Sequence, residues 1–125
     1  LHESVSQDEL TEELSVYNFG ILPFFSCDTT QGSTKFKCAT TLKLFNFIEA
    51  GIPIIVSSDL EFQRWLGLRL NCCISLDSKK NITELRHLIT HCDYSALKNN
   101  LIEQRSTMSL DKNIDRLVKH YKSVA

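Results

Sequence analysis

The fold of this chain is decided by residues 40–62, TTLKLFNFIEAGIPIIVSSDLEF, which predict a helix, a stop and a strand. A threonine, Thr40 or Thr41, can cap the helix. Gly51 predicts that the helix ends in a left-handed conformation, and Pro53 prevents its continuation. The run IPIIV is rich in β-branched residues and is typical of a parallel strand covered on both faces. The expected buried face of the helix consists of apolar residues at helical spacing, namely Leu42, Leu44, Phe45 and Ile48.

The segments on either side continue this alternation of helices and strands. Ser6 and Glu9 form a capping box with acidic neighbours, which predicts a first helix with Leu10 and Leu14 on its apolar face. The other predicted elements are a strand at residues 17–25, a short helix with a capping box at residues 58–61 and an end at Gly67, a strand at residues 70–74, and three helices that begin near Asp77, Asp93 and Ser109.

The order helix, strand, helix, strand, helix, strand and final helices predicts the α/β class. Such an order builds a parallel sheet from right-handed βαβ units. We therefore predict a Rossmann-like parallel sheet with helices on both faces, in one domain of 125 residues. Ligands of open α/β sheets bind where strand carboxyl ends meet helix amino termini. The polar loop at residues 26–39 lies at one such place and has a length usual for functional or disordered loops.

Composition excludes several classes of protein. The net charge of −1 gives no reason to expect nucleic acid or an anionic membrane as a general partner of the chain. No apolar run approaches the roughly 20 residues of a membrane span, and the polar first ten residues are not a signal peptide. The five cysteines suggest no disulfide framework, so we expect reduced thiols in a cytoplasmic protein. Because the chain starts at Leu1 and soon enters a helical pattern, we expect it to be a piece of a longer protein.

The start of the helix in the opening stretch is the best candidate for a binding site. The amino terminus of a helix offers free N–H groups and the positive end of the helix dipole. Thr40 and Thr41 add hydroxyls there, and Lys43 adds a positive charge in the first turn. This combination predicts a phosphate or diphosphate site; the alternative is a plain helix cap with a solvated lysine. Asn46 shares a face with Lys43, so it can bind a sugar hydroxyl or simply be an exposed polar residue.

Three other clusters of reactive residues carry weaker signals. His87 and His91 lie four apart, as metal ligands can, but no second pair at matching spacing accompanies them, so we expect no metal site. Cys72 and Cys73 lie in a predicted strand, which should place one thiol on each side of the sheet. The last helix carries four basic residues, which form a solvated face or contact a membrane surface weakly. These are Lys112, Arg116, Lys119 and Lys122.

Two segments resemble the retaining group 1 glycosyltransferases of the GT-B fold. The first, VSQDELTEELSVYNFGILPF at residues 5–24, is similar to a helix that leads into a strand ending in proline. The second, KLFNFIEAGIPII at residues 43–55, is similar to the family segment in which a lysine, two aromatics, a glycine and a proline fall in register. The close resemblance covers residues 5–60, and residues 61–125 agree in layout.

The resemblance implies that residues 1–125 are the C-terminal half of a nucleotide-sugar-binding domain. It implies that Thr40 and Thr41 meet the donor diphosphate, that Lys43 neutralises it, and that the backbone near Val5 contacts the base. The family usually has a glutamate that binds the ribose hydroxyls at the position of Asn46, so this chain departs from the pattern there. The catalytic residues remain unassigned.

The activity implied is transfer of a sugar from a UDP- or GDP-sugar to a glycan or lipid acceptor in carbohydrate biosynthesis. The resemblance implies an enzyme without cofactor or metal, of which this chain is a part that is inactive alone. Two alternatives stay open: a non-catalytic nucleotide-sugar-binding or interaction module of GT-B fold, which the Asn46 departure fits, and a GT-B sugar-nucleotide epimerase.

Overall fold

A computed structural model describes residues 4–6, 8–23, 37–77 and 82–124, with the backbone alone for residues 82, 83 and 110. These residues form six helices and three strands, in the alternating order that the sequence predicts. In chain order they are α1 (Leu10–Ser15), β1 (Gly20–Leu22), α2 (Leu42–Ala50), β2 (Ile54–Ser57), α3 (Glu61–Arg69), β3 (Cys73–Leu76), α4 (Ile82–His91), α5 (Tyr94–Met108) and α6 (Leu110–Val124).

The three strands form a parallel sheet in the order β1-β2-β3. Gly20 is paired with Ile54, and Ile54 with Cys73, so these three residues share one face of the sheet. The α/β class and the parallel sheet are thus confirmed. The central strand β2 is buried along its whole length, as its continuous β-branched run predicts.

Helices α2 and α3 pack on the same face of the sheet. A Cβ at Gly20 would overlap the ring of Phe47 on α2. A Cβ at Gly67 on α3 would lie 2.7 Å from Sγ of Cys73 on β3. Gly20 and Cys73 belong to one face of the sheet. The missing side chains of Gly20 and Gly67 therefore allow both α2 and α3 to approach that face closely. Helix α4 packs against β3.

Helix α5 lies across the amino ends of the strands. The ring of Tyr94 meets that of Phe19, just before β1, edge-to-face at 5.3 Å. Nδ2 of Asn100 donates to the carbonyl of Asn71, just before β3, at 3.2 Å. Leu101, the residue after Asn100, is fully buried in the core cluster. The carboxyl edge of the sheet, at the other ends of the strands, is therefore the edge that α5 leaves free.

Several predicted boundaries differ from the structure. Strand β1 is shorter than residues 17–25, of which 24 and 25 lie outside the described residues. Strand β3 begins at Cys73, because residues 70–72 form a turn in which Asn71 has a φ of 54°. Helix α1 begins at Leu10, although the Ser6 backbone N–H and hydroxyl do hydrogen-bond the Glu9 carboxylate. Most of the polar loop at 26–39 lies outside the described residues.

Two predictions about α3 are wrong. Its N-cap is Leu60 and not Ser58, the residue at which the predicted capping box begins. The helix also continues through Gly67 to Arg69. Gly67 is thus a site of close packing against β3 and not a helix stop, because the tight contact with Cys73 requires the missing side chain.

The predicted buried face of α2 is half right. Leu44 and Ile48 are buried in the core, but Leu42 is 81% exposed and Phe45 is 41% exposed. The helix instead turns Leu44, Ile48 and Phe47 towards the sheet. The end of α2 is as predicted: Gly51 has a φ of 70°, and its N–H donates to the carbonyl of Ile48.

Candidate functional site

The start of α2 lies at the carboxyl edge of the sheet, because the helix runs back from that edge to the beginning of β2. Thr41 is the N-cap residue and has extended backbone angles, but its side chain caps no N–H of the helix. The first turn is closed by the backbone bond from the Leu44 N–H to the Thr41 carbonyl. The N–H groups of Leu42 and Lys43 are in the first turn, where a helix supplies no internal acceptor.

The Thr41 hydroxyl is directed to Gln63 of α3 instead. It donates to Oε1 of Gln63 at 3.5 Å, and Nε2 of Gln63 donates to the carbonyl of Ala39 at 3.1 Å. Gln63 is fully buried, so water does not compete for the hydrogen bonds of its amide group. This side chain thus joins α3 to the segment that precedes α2 and holds the start of α2 in place.

Gln63 was not among the residues singled out from the sequence. A signal was nevertheless present, since Leu60, Gln63 and Gly67 follow the three-and-four spacing of a buried helix face. All three are buried in the structure. An amide side chain within such a buried stripe must find hydrogen-bond partners, and backbone groups of a neighbouring segment are the usual ones.

The two lysines at this edge differ in whether a carboxylate neutralises their charge. Lys37 lies 3.2 Å from the carboxylate of Glu61 in the first turn of α3, so that pair is locally neutral. Lys43 is exposed, and it has no salt bridge to any carboxylate in the described part of the chain. Thr40 is exposed and Thr41 is half-buried. The structure thus brings Thr40, Thr41 and Lys43 together around an uncapped helix terminus, where a positive charge and N–H groups coincide.

The two other predicted site residues lie apart from this terminus. Asn46 is one turn further along α2 and is half-buried. Val5 is 42% exposed and borders a groove of about 430 Å³ beside Glu12 on α1 and Glu9, the N-cap residue of α1. Helix α1 packs against α2, and Val5 lies in the segment that precedes α1. Hydrogen bonds from the Ser6 hydroxyl and N–H lower the pKa of the Glu9 carboxyl.

The two histidines of α4 interact with each other. The rings of His87 and His91 stack with centroids 4.0 Å apart, and Nδ1 of His91 is 2.9 Å from the carbonyl of His87. Across the described residues, no group of three or more His, Cys, Asp or Glu side chains could hold a metal ion. The two histidines therefore contact each other on the exposed surface of α4.

The prediction that Cys72 and Cys73 lie on opposite sides of the sheet is wrong. Both thiols belong to the same buried core cluster, and both lie beside Gly67 of α3: the Cys72 thiol donates to the Gly67 carbonyl, and Sγ of Cys73 lies 2.7 Å from where a Cβ of Gly67 would be. Burial raises the pKa of Cys72 to about 11 and that of Cys73 to about 12. Such thiols stay protonated at neutral pH and act as small hydrophobic residues. Cys38 is exposed, Cys92 is half-buried, and Cys27 lies outside the described residues.

Comparison of the chain with models of known protein families, with curated proteins and with solved structures found no match. Among the helices of the described residues, none has the length and apolar character needed to cross a membrane.

Proposed function

We propose that this chain is part of a sugar-nucleotide-dependent glycosyltransferase of the GT-B fold, and that the start of α2 binds the donor diphosphate. The observation that carries the proposal is the amino terminus of α2, which has no side-chain cap and carries the exposed Lys43 in its first turn. Its place at the carboxyl edge of a parallel sheet is where open α/β sheets bind ligands.

The chemistry of this terminus suits a diphosphate leaving group. When the bond between sugar and diphosphate breaks, negative charge accumulates on the phosphate oxygens. The N–H groups of Leu42 and Lys43, the helix dipole and the Lys43 ammonium would each stabilise that charge. The hydroxyl of Thr40 is exposed and can donate to a phosphate oxygen. Gln63 would act as a positioning residue, because it holds the Ala39–Thr41 segment through two hydrogen bonds.

The arrangement of residues 43–55 further supports the glycosyltransferase proposal. Residues 43–55, which carry the resemblance to group 1 enzymes, form most of α2, its end at Gly51 and the start of β2. We propose a UDP- or GDP-sugar as donor, a glycan or lipid as acceptor, a base contact near Val5, and a cytoplasmic location. We propose that the described sheet is part of the Rossmann-like, C-terminal domain of the parent enzyme.

Nucleotide binding by the full-length protein that contains this chain tests the diphosphate site. We expect UDP or GDP to bind in isothermal titration calorimetry, and Lys43→Ala to weaken binding by at least about tenfold, since a charge-assisted contact is lost. Lys98→Ala, on α5 at the opposite edge of the sheet, is the matched control and should leave the affinity unchanged. Equal affinities of the wild-type and Lys43→Ala proteins would show that the phosphate role is wrong.

A second candidate function rests on Asn46. A neutral amide makes weaker hydrogen bonds to ribose hydroxyls than the carboxylate usual at this position of the family. A non-catalytic nucleotide-sugar-binding module of the same fold is therefore the alternative. Transfer activity separates the two candidates, because activity of the wild-type protein excludes the non-catalytic module. Asn46→Glu, which introduces the carboxylate usual in the family, is the comparison variant. If turnover occurs without an acceptor and yields an isomer of the donor sugar, the protein is instead an epimerase.

A further inference from the structure

Helix α6 has an apolar face that the rest of the described chain leaves open. The residues of this face recur at spacings of three and four, so they line one side of the helix. Their side chains are between 40% and 68% exposed. They are Ile114, Leu117, Val118, Tyr121 and Val124.

The helix is attached to the domain through its first turn. Lys112 Nζ donates to the Ser106 hydroxyl at 3.3 Å, and Asn113 Nδ2 donates to the Thr107 carbonyl at 2.8 Å. Both partners belong to α5, and α5 is the helix against which α6 packs. Beyond Asn113 the apolar face continues for about three turns, a length of roughly 16 Å, and its side chains stay at least 40% exposed.

The opposite side of α6 is basic. Four basic and two acidic side chains leave the helix with a net charge of +2, whereas the whole chain has −1, so the other residues together carry −3. The two acids, Asp111 and Asp115, are in the first half of the helix. From Arg116 onward the helix has three basic residues and no acidic one. Neither Lys119 nor Lys122 has a salt bridge to a carboxylate of the described residues.

We infer that α6 binds the surface of an anionic lipid bilayer, with its axis in the plane of the membrane. A helix that is polar in overall composition, with an open apolar face and a basic face opposite, inserts its apolar side about 5–10 Å into the headgroup region. Clusters of four or more Lys and Arg on such a helix attract anionic lipids. A second copy of the chain is the poorer occupant of this face, because it would cover the apolar side and leave the basic side of α6 without a complementary charge.

This inference does not depend on the proposed glycosyltransferase activity. The contact is at the membrane surface, since no helix of the described residues is long and apolar enough to cross a membrane. The apolar face supplies insertion, and the basic residues supply selectivity for negatively charged lipid.

Co-sedimentation with vesicles tests the inference on the full chain. We expect the protein to sediment with phosphatidylcholine vesicles that contain phosphatidylserine, and much less with phosphatidylcholine alone. Each basic side chain near such a surface contributes a factor of about five, so Lys119→Gln with Lys122→Gln should weaken binding about 30-fold. Arg86→Gln with Lys98→Gln, which removes two charges from α4 and α5, is the matched control and should have little effect.

A second pair of variants tests the apolar face. Leu117→Ser with Tyr121→Ser should abolish sedimentation, while Val16→Ser, at a 73% exposed position outside α6, should not change it. Circular dichroism verifies that each variant keeps its helices; if the serine variant unfolds, the lysine variants decide. Absence of binding by the wild-type chain, or equal binding to both vesicle types, would overturn the inference. So would a wild-type dimer in size-exclusion chromatography that the serine pair converts to a monomer.

Discussion

The backbone of Gly51 shows how one residue ends α2 and directs the chain into the sheet. Its φ of 70° is in the left-handed region, where a side chain is disfavoured. A Cβ at this position would be 3.5 Å from Nη1 of Arg105, which is an ordinary contact. The constraint on Gly51 is therefore conformational and not steric crowding by neighbours.

We predict that Gly51→Ala lowers the free energy of unfolding by about 1–2 kcal/mol, because alanine is strained in this conformation. Urea unfolding followed by circular dichroism measures the change. Gly51→Asn should cost less, since asparagine tolerates the left-handed region. Equal losses for alanine and asparagine would show that the cost has another origin.

The buried thiols Cys72 and Cys73 predict a dependence of stability on pH. Their pKa values rise from 9.0 to about 11 and about 12, because burial disfavours the thiolate. Above pH 9 the thiols ionise in the unfolded chain but not in the folded one. Their contribution to stability is therefore complete below pH 9 and is lost as the pH rises towards 11 and 12.

We expect Cys72→Ala with Cys73→Ala to reduce the slope of this alkaline loss, measured as the free energy of unfolding in urea at pH 8 and at a series of higher values. Cys38→Ala is the control, since this thiol is exposed and should not change the slope. Parallel curves for the wild-type and the double variant would contradict the prediction. The comparison of slopes removes the effect of other groups that titrate in this range.

At the scale of elements, the start of α2 depends on α3 through Gln63. The Gln63 amide donates to the Ala39 carbonyl and accepts from the Thr41 hydroxyl. The two helices are 22 residues apart along the chain at this contact, but their amino termini meet at the same edge of the sheet. Gln63 therefore couples the stability of α3 to the geometry of the candidate site.

Gln63→Leu, which keeps the approximate volume of the side chain, should lower the free energy of unfolding by about 1–3 kcal/mol, because the Ala39 carbonyl loses its donor. The same change at Gln104 on α5, a half-buried position, should alter it by about 0.5 kcal/mol or less. Urea unfolding measures both variants. A Gln63→Leu protein as stable as the wild type would show that water replaces the amide.

At the scale of the whole molecule, one core joins the sheet, α2, α3 and α5, and α6 lies outside it. Leu101 of α5 is fully buried with Leu44 and Ile48 of α2 in this core. No residue of α6 belongs to that cluster among the described residues. The folding of the domain should thus depend on α5 far more than on α6.

Matched leucine substitutions in the two helices test this division. Leu101→Ala should cost about 2–5 kcal/mol, because it removes buried methyl groups and leaves a cavity. Leu117→Ala, on the open face of α6, should change the free energy of unfolding by about 0.5 kcal/mol or less. Thermal and urea unfolding of both variants give the values. A comparable loss at Leu117 would place α6 in the cooperative unit.

The sequence by itself determined the α/β class, the alternating element order, the buried strand β2 and the stop at Gly51. These follow from local chemistry: hydrophobic period, β-branched content and the conformations open to glycine and proline. The start of α2 was also predictable as the candidate site, since Thr40, Thr41 and Lys43 are neighbours in the chain.

The tertiary structure alone decided which apolar residues are covered and which polar residues are used. Leu42 and Phe45 fit a buried helical stripe but are exposed, because the sheet lies beneath Leu44, Phe47 and Ile48. Gln63 supports a backbone segment far from it in sequence, and Gly67 admits Cys73 and does not end a helix. Hydrophobic periodicity predicts that one face of a helix is apolar. Only contacts between segments distant in sequence determine what packs against that face.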